Sequence, residues 1–190
     1  MTHTQKHHVQ TSHSPFYRFQ GWRFMALLLL FTFYTAWFIG PGYFGQLSNL
    51  EGHTPLQERV FYTGDEALTA VKALSEESRR IKYLALIFDF PYMILQALLF
   101  EAMIAFGVLQ MRLSARFWQW PFILPIGFLL ADVLEDSALL LLLSTSTKIF
   151  GSVAGIMTAV KFLFFIPACF VSLAFLIGGL FAKVKRRFLS

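Results

Sequence analysis

Asp89, Glu101, Asp132, Glu135, Asp136 and Lys161 stand inside long apolar runs of the chain. A charge buried in hydrocarbon costs several kcal/mol, so each of these positions needs a reason. Carboxylates beside a lysine in a dry site can do three things. They can lock helices by ion pairing, hold a polar ligand, or act as acid and base. Helical spacing sorts them. Asp132, Glu135 and Asp136 follow i, i+3, i+4 and share one face. Asp89, Tyr92 and Gln96 follow i, i+3, i+7 on a second helix, and Ala154, Thr158 and Lys161 share a face of a third.

Depth groups the same residues. At 1.5 Å per residue, Asp89, Glu135 and Asp136 lie roughly 10–12 Å below the outer ends of their helices, and Asp132 and Lys161 roughly 18 Å below. Glu101 lies about 18 Å further along its helix than Asp89 and at another angle, so it stands apart. Four outer-half carboxylates then face one lysine. The expectation is one Asp–Lys161 pair, with at least one remaining acid protonated or reached by water. Pro91 cannot donate to the carbonyl of Ile87 and is expected to kink its helix beside Asp89.

Several chemistries are disfavoured. No span contains histidine, which removes the usual zinc and iron ligands, and carboxylates alone suit only hard cations. No metal and no cofactor are expected at the cluster. The single cysteine, Cys169, cannot form an internal disulfide, which argues against a disulfide-handling enzyme, and it reads as a small apolar residue. No G-x-S-x-G nucleophile motif is present. Whether the chain is an enzyme stays open.

The elements that must position these residues follow from hydropathy. The chain is 56% hydrophobic, above a soluble domain's usual share, and the excess is gathered in blocks. The expected fold is all-α: a polytopic membrane protein with a four-helix transmembrane bundle. Its spans are expected at 24–40, 82–109, 117–143 and 150–182, within a transmembrane domain of 24–182. The outer loop 41–81 contains Thr63 followed three residues on by Glu66, a capping box, and Leu68, Val71 and Leu74 then fall on one side. A short amphipathic helix is expected there. Gly151, Gly155 and Ala159 form a small-residue ridge that lets another helix approach closely.

Residues 1–23 form a polar tail with His3, His7, His8 and His13, expected to be disordered, and 183–190 form a basic tail. The net charge of +5 could suggest nucleic acid, but the basic residues flank apolar spans. They read as topology signals. Lys6, Arg18, Arg23, Arg112, Arg116, Lys183, Lys185, Arg186 and Arg187 lie on one side, against Lys148 in the opposite short turn. Both termini are therefore expected in the cytoplasm, with the protein multi-pass in the inner (plasma) membrane and no nucleic acid as partner. Trp22, Trp37, Trp118 and Trp120 fall near the expected interfaces.

The stretch from Tyr62 to Ile94, then 131–143, then 158–162, resembles a family of small bacterial four-helix membrane proteins without assigned activity. The family pattern is Asp-x-x-x-Pro or similar, Asp-x-x-Glu-Asn and Thr-x-x-Lys, carried here by Asp89, Pro91, Asp132, Glu135, Thr158 and Lys161, with the proline only two residues after Asp89. Asp136 stands where the pattern favours Asn. The resemblance implies a common intramembrane polar cluster and no particular reaction.

Three functions compete. The leading one is an outer-half pocket for a lipid or small amphiphile, formed by Asp89, Tyr92, Gln96, Asp132, Glu135, Asp136, Thr158 and Lys161. The second is proton, ion or solute transport, which in so narrow a bundle would need a homo-oligomer. The third is a membrane scaffold or assembly factor whose cluster is a structural salt bridge. Membrane lipids are partners in all three.

Overall fold

The computed structural model describes residues 21–51, 56, 59–114 and 118–188. The tail 1–20 with its histidines, and Arg116, lie outside them. Six α-helices occur among the described residues: α1 (Trp22–Ile39), α2 (Tyr43–Glu51), α3 (Gly64–Ala73), α4 (Glu76–Gln110), α5 (Ile123–Thr145) and α6 (Lys148–Phe188). No strand occurs among the described residues.

α4, α5 and α6 pack against one another and form the centre, while α1 packs mainly on α4 and α2. The result is a three-helix core flanked by α1 rather than four equivalent rods. α2, α3 and the α5–α6 turn share one end, here the loop end. The start of α1 meets the last turns of α4 at the other, the tail end, where Phe24 stacks on Phe106 at 6.2 Å. An apolar core sits at each end. One gathers Tyr62, Val71, Leu86, Leu139 and Leu142. The other gathers Ile104, Val108, Phe122 and Phe175. The polar residues lie between the two.

Among the described residues three segments are long and apolar enough to cross a membrane: Trp22–Leu47, Glu76–Gln110 and Lys148–Phe188. α5 is 23 residues long. Every 18-residue stretch within it includes Asp132, Glu135 and Asp136, so charge, not length, sets it apart.

Boundaries differ from hydropathy where local chemistry intervenes. α4 begins at Glu76, six residues before the apolar run, because Ser75 caps it by accepting from the Ser78 backbone N–H at 3.1 Å. α5 begins at Ile123 rather than 117. Pro121 sits in a 3-10 turn over Trp120–Phe122, and Pro125 falls in the first helical turn, where its missing N–H has no partner to lose. α2 was not expected in the outer loop. Gly42 and Gly45 weaken its helical signature, and tertiary packing forms it: Leu47 is fully buried and the Tyr43 ring meets Phe88 at 5.1 Å.

α3 has the expected capping box. Thr63 Oγ1 accepts from the Glu66 N–H at 3.3 Å, and Glu66 Oε2 accepts from the Thr63 N–H at 2.6 Å. These bonds to Thr63 hold the Glu66 carboxyl below its ordinary range. Ala67 and Val71 are buried, and α3 packs on the first turns of α6. The small-residue ridge serves this contact. A Cβ on Gly151 would meet Ala67 at 2.9 Å, and one on Gly155 would collide with the Tyr62 carbonyl oxygen. The ridge admits α3 and the strand of backbone before it, not a second long helix.

Candidate functional site

α5 and α6 bring the charged stripe together. Lys161 Nζ lies 3.0 Å from Asp132 Oδ1 and 2.5 Å from Glu135 Oε2. The i, i+3 spacing on α5 puts both acids on the face that meets α6. Thr158, one turn before Lys161, has its hydroxyl 2.8 Å from Glu135 Oε1 and 2.9 Å from the Ala154 carbonyl. Glu135 and Thr158 are fully buried, and Asp132 and Lys161 are more than nine-tenths buried. Lys161 therefore occupies the place between Asp132 and Glu135 that a metal ion would need.

Asp136, one helical turn beyond Asp132, is fully buried, and neither carboxyl oxygen finds a hydrogen-bond donor among the described residues. Its side-chain neighbour is Asp89 of α4. Tyr62, in the segment before α3, is also fully buried beside this group. Burial and the Glu135 carboxylate hold its phenol well above the ordinary range, so it remains a neutral hydroxyl.

A cavity of about 350 Å³ opens against this cluster. Asp89, Tyr92, Gln96, Asp132 and Lys161 form its polar side. Phe38, Ile39, Phe44, Phe128, Phe162 and Phe165 form the rest. The walls thus come from the end of α1, from α2 and from all three core helices. Two of the lining rings, Phe128 and Phe165, meet at 5.2 Å, and Phe100 packs on both at 6.4 and 6.1 Å.

No known protein family, curated protein or solved structure matches this chain. The chemistry of the site therefore has to be argued from its own geometry.

Of the residues singled out from sequence, Asp89, Tyr92, Gln96, Asp132 and Lys161 line the cavity, while Glu135, Asp136 and Thr158 stand behind it. Pro91 is exposed and α4 runs through it without a break. At this turn the Tyr34 hydroxyl of α1 donates to the Phe88 carbonyl at 2.7 Å. Glu101 is buried apart from the cavity, and neither of its oxygens has a hydrogen-bond partner among the described residues.

The aromatic walls were missed. A signal existed for part of them: Phe128 lies one turn before Asp132, and Phe162 and Phe165 follow Lys161 closely enough to flank it. Phe44 carried no such signal, because α2 was not expected within the outer loop 41–81. α1 supplies Tyr34 at this site, and its Phe31 and Phe38 stack on Tyr92 at 5.6 and 5.4 Å. Lys82, fully buried in α4, was not singled out at all.

Proposed function

We propose that this chain is a four-span integral membrane protein whose intramembrane pocket binds a lipid or small amphiphile. The cavity is the observation that carries the reading. Its volume falls within the about 300–1,000 Å³ of small-molecule sites, and it joins a compact polar patch to aromatic walls, as an amphiphile requires.

Crossing by α5 is supported by how its faces divide. Its carboxylates are buried against Lys161, Thr158 and α4, while Ile123, Ile126, Leu130, Leu134 and Leu141 are exposed. The charges then face protein and the aliphatic side chains face lipid. At 1.5 Å per residue its 23 residues reach about 34 Å, enough for a hydrocarbon core of about 30 Å. The tail end carries Arg112, Lys183, Lys185, Arg186 and Arg187, which favours the cytoplasmic side for it and for both termini. At the loop end Lys148 is ion-paired to Asp65 at 2.7 Å. The pocket accordingly opens in the outer half of the inner (plasma) membrane.

Transport would need a polar path from the cavity to Glu101. Phe100, Phe128 and Phe165 count against such a path, since their apolar rings pack together and Phe100 stands between Gln96 and Glu101 along α4. A purely structural salt bridge would need no cavity beside it. Mass spectrometry of protein purified in mild detergent tests the pocket, wild type against Lys161→Ala. The expected result is one bound species enriched with the wild type and lost from the variant. Identical bulk lipids in both samples would remove the reading.

A further inference from the structure

We infer that the pocket takes its amphiphile by a protonated amine head rather than by an anionic one. The inference rests on the pocket proposed above and names the chemistry it selects. Among the described residues that line the cavity Lys161 is the only cation, and it already lies between Asp132 and Glu135. An anionic head would have to displace one of these acids into an apolar surrounding, which leaves a buried carboxylate without its partner. The unmet capacity of the site is for donors. Asp89 lines the cavity and its side-chain neighbour is another acid, Asp136. Asp132 also lines the cavity, is only 6% exposed, and meets Lys161 through Oδ1. Behind them both oxygens of Asp136 are buried and meet no donor among the described residues.

An ammonium group satisfies this arrangement. It carries the positive charge that the surplus carboxylates lack, and its N–H groups donate to carboxylate oxygens in charge-assisted bonds. The flanking rings are suited to the same head, because an ammonium is attracted to the faces of aromatic side chains. Tyr92, Phe44 and Phe162 line the cavity around the acids. The apolar tail of the ligand would lie along Phe38, Phe128 and Phe165. The amine head can belong to a membrane lipid or to a free alkylamine, and the chemistry of recognition is the same.

The test uses the full chain in maltoside micelles, with dodecylamine, dodecanol and dodecanoate as probes. Native mass spectrometry reads a one-to-one complex and the thermal midpoint reads affinity. Dodecylamine is expected to bind at least about tenfold tighter than the other two, the ratio that one charge-assisted bond of 1.5–3 kcal/mol supplies. Asp89→Asn is expected to bring dodecylamine down to the affinity of dodecanol and to leave dodecanol unchanged. The wild-type ranking stands as a test even if that variant does not fold. Phosphatidylethanolamine and phosphatidylglycerol of matched chains separate the sources. Retention of the former supports a lipid head, and retention of dodecylamine alone supports a free amine. Binding of dodecanoate or dodecanol as tight as that of dodecylamine overturns the amine assignment and leaves the pocket standing. If none of the three is retained, the pocket itself is withdrawn.

Discussion

Thr158 has a small part in the cluster that can be measured by itself. Its hydroxyl is a donor to Glu135 Oε1, whose other oxygen rests on Lys161. Thr158→Val keeps the shape and removes the donor. A buried acceptor left unmatched costs about 1–3 kcal/mol, so the thermal midpoint in detergent should fall, while Thr158→Ser should restore most of it. Equal midpoints for all three proteins would show that the bond contributes nothing. At this scale the sequence was informative because the residues are unusual in their surroundings. A charge in an apolar run must be paired or reached by a polar group, and helical spacing put Asp132 and Glu135 on one face of their helix. The sharing of Lys161 by two acids, and the meeting of Asp89 with Asp136, depend on how far three helices approach one another. Spacing along single helices does not carry that information.

Among the elements, α3 and α6 make the contact most open to test. Gly155→Ala places a methyl group on the Tyr62 carbonyl oxygen, so the segment before α3 must move. Overpacking of this kind costs about 1–3 kcal/mol, and hydrogen exchange should rise across 59–67. Gly178→Ala on the same helix would meet only the flexible Met111 side chain, and its midpoint should change less. A second test concerns the cap of α3. Glu66 has a native pKa below its ordinary 4.5 because it is bonded to Thr63. Its contribution is therefore complete above about pH 4.5 and is lost as the pH falls through the lower native value. The difference in midpoint between wild type and Glu66→Gln should shrink over that interval. A difference that stays constant from neutral to strongly acid pH would contradict this account of the cap. The capping box was legible because its signal is local, two residues three apart. α2 was not, since it owes its form to Leu47 and to rings on other helices, and the small-residue ridge revealed a close approach without revealing what approaches.

For the whole molecule, the account joins two surfaces of opposite character. Large apolar side chains such as Phe33, Leu130, Leu163 and Phe170 face outward from α1, α5 and α6, while the charged groups turn inward around one cavity. Hydropathy anticipated the outward face, because it depends only on composition along each helix. It did not anticipate that α1 would stand to one side of a three-helix core and, with α2, complete the wall of a pocket. The central claim is that this cavity holds a selected amphiphile rather than bulk lipid. Photo-crosslinking from two positions on α6 tests it most directly. A benzoyl-phenylalanine replacing Phe162 would look into the cavity, and one replacing Phe170, which is 71% exposed, would look into the bilayer about 12 Å further along the helix. Mass spectrometry of the adducts should give one dominant species from position 162 and a mixture matching the surrounding lipids from position 170. The same mixture from both positions would contradict the account.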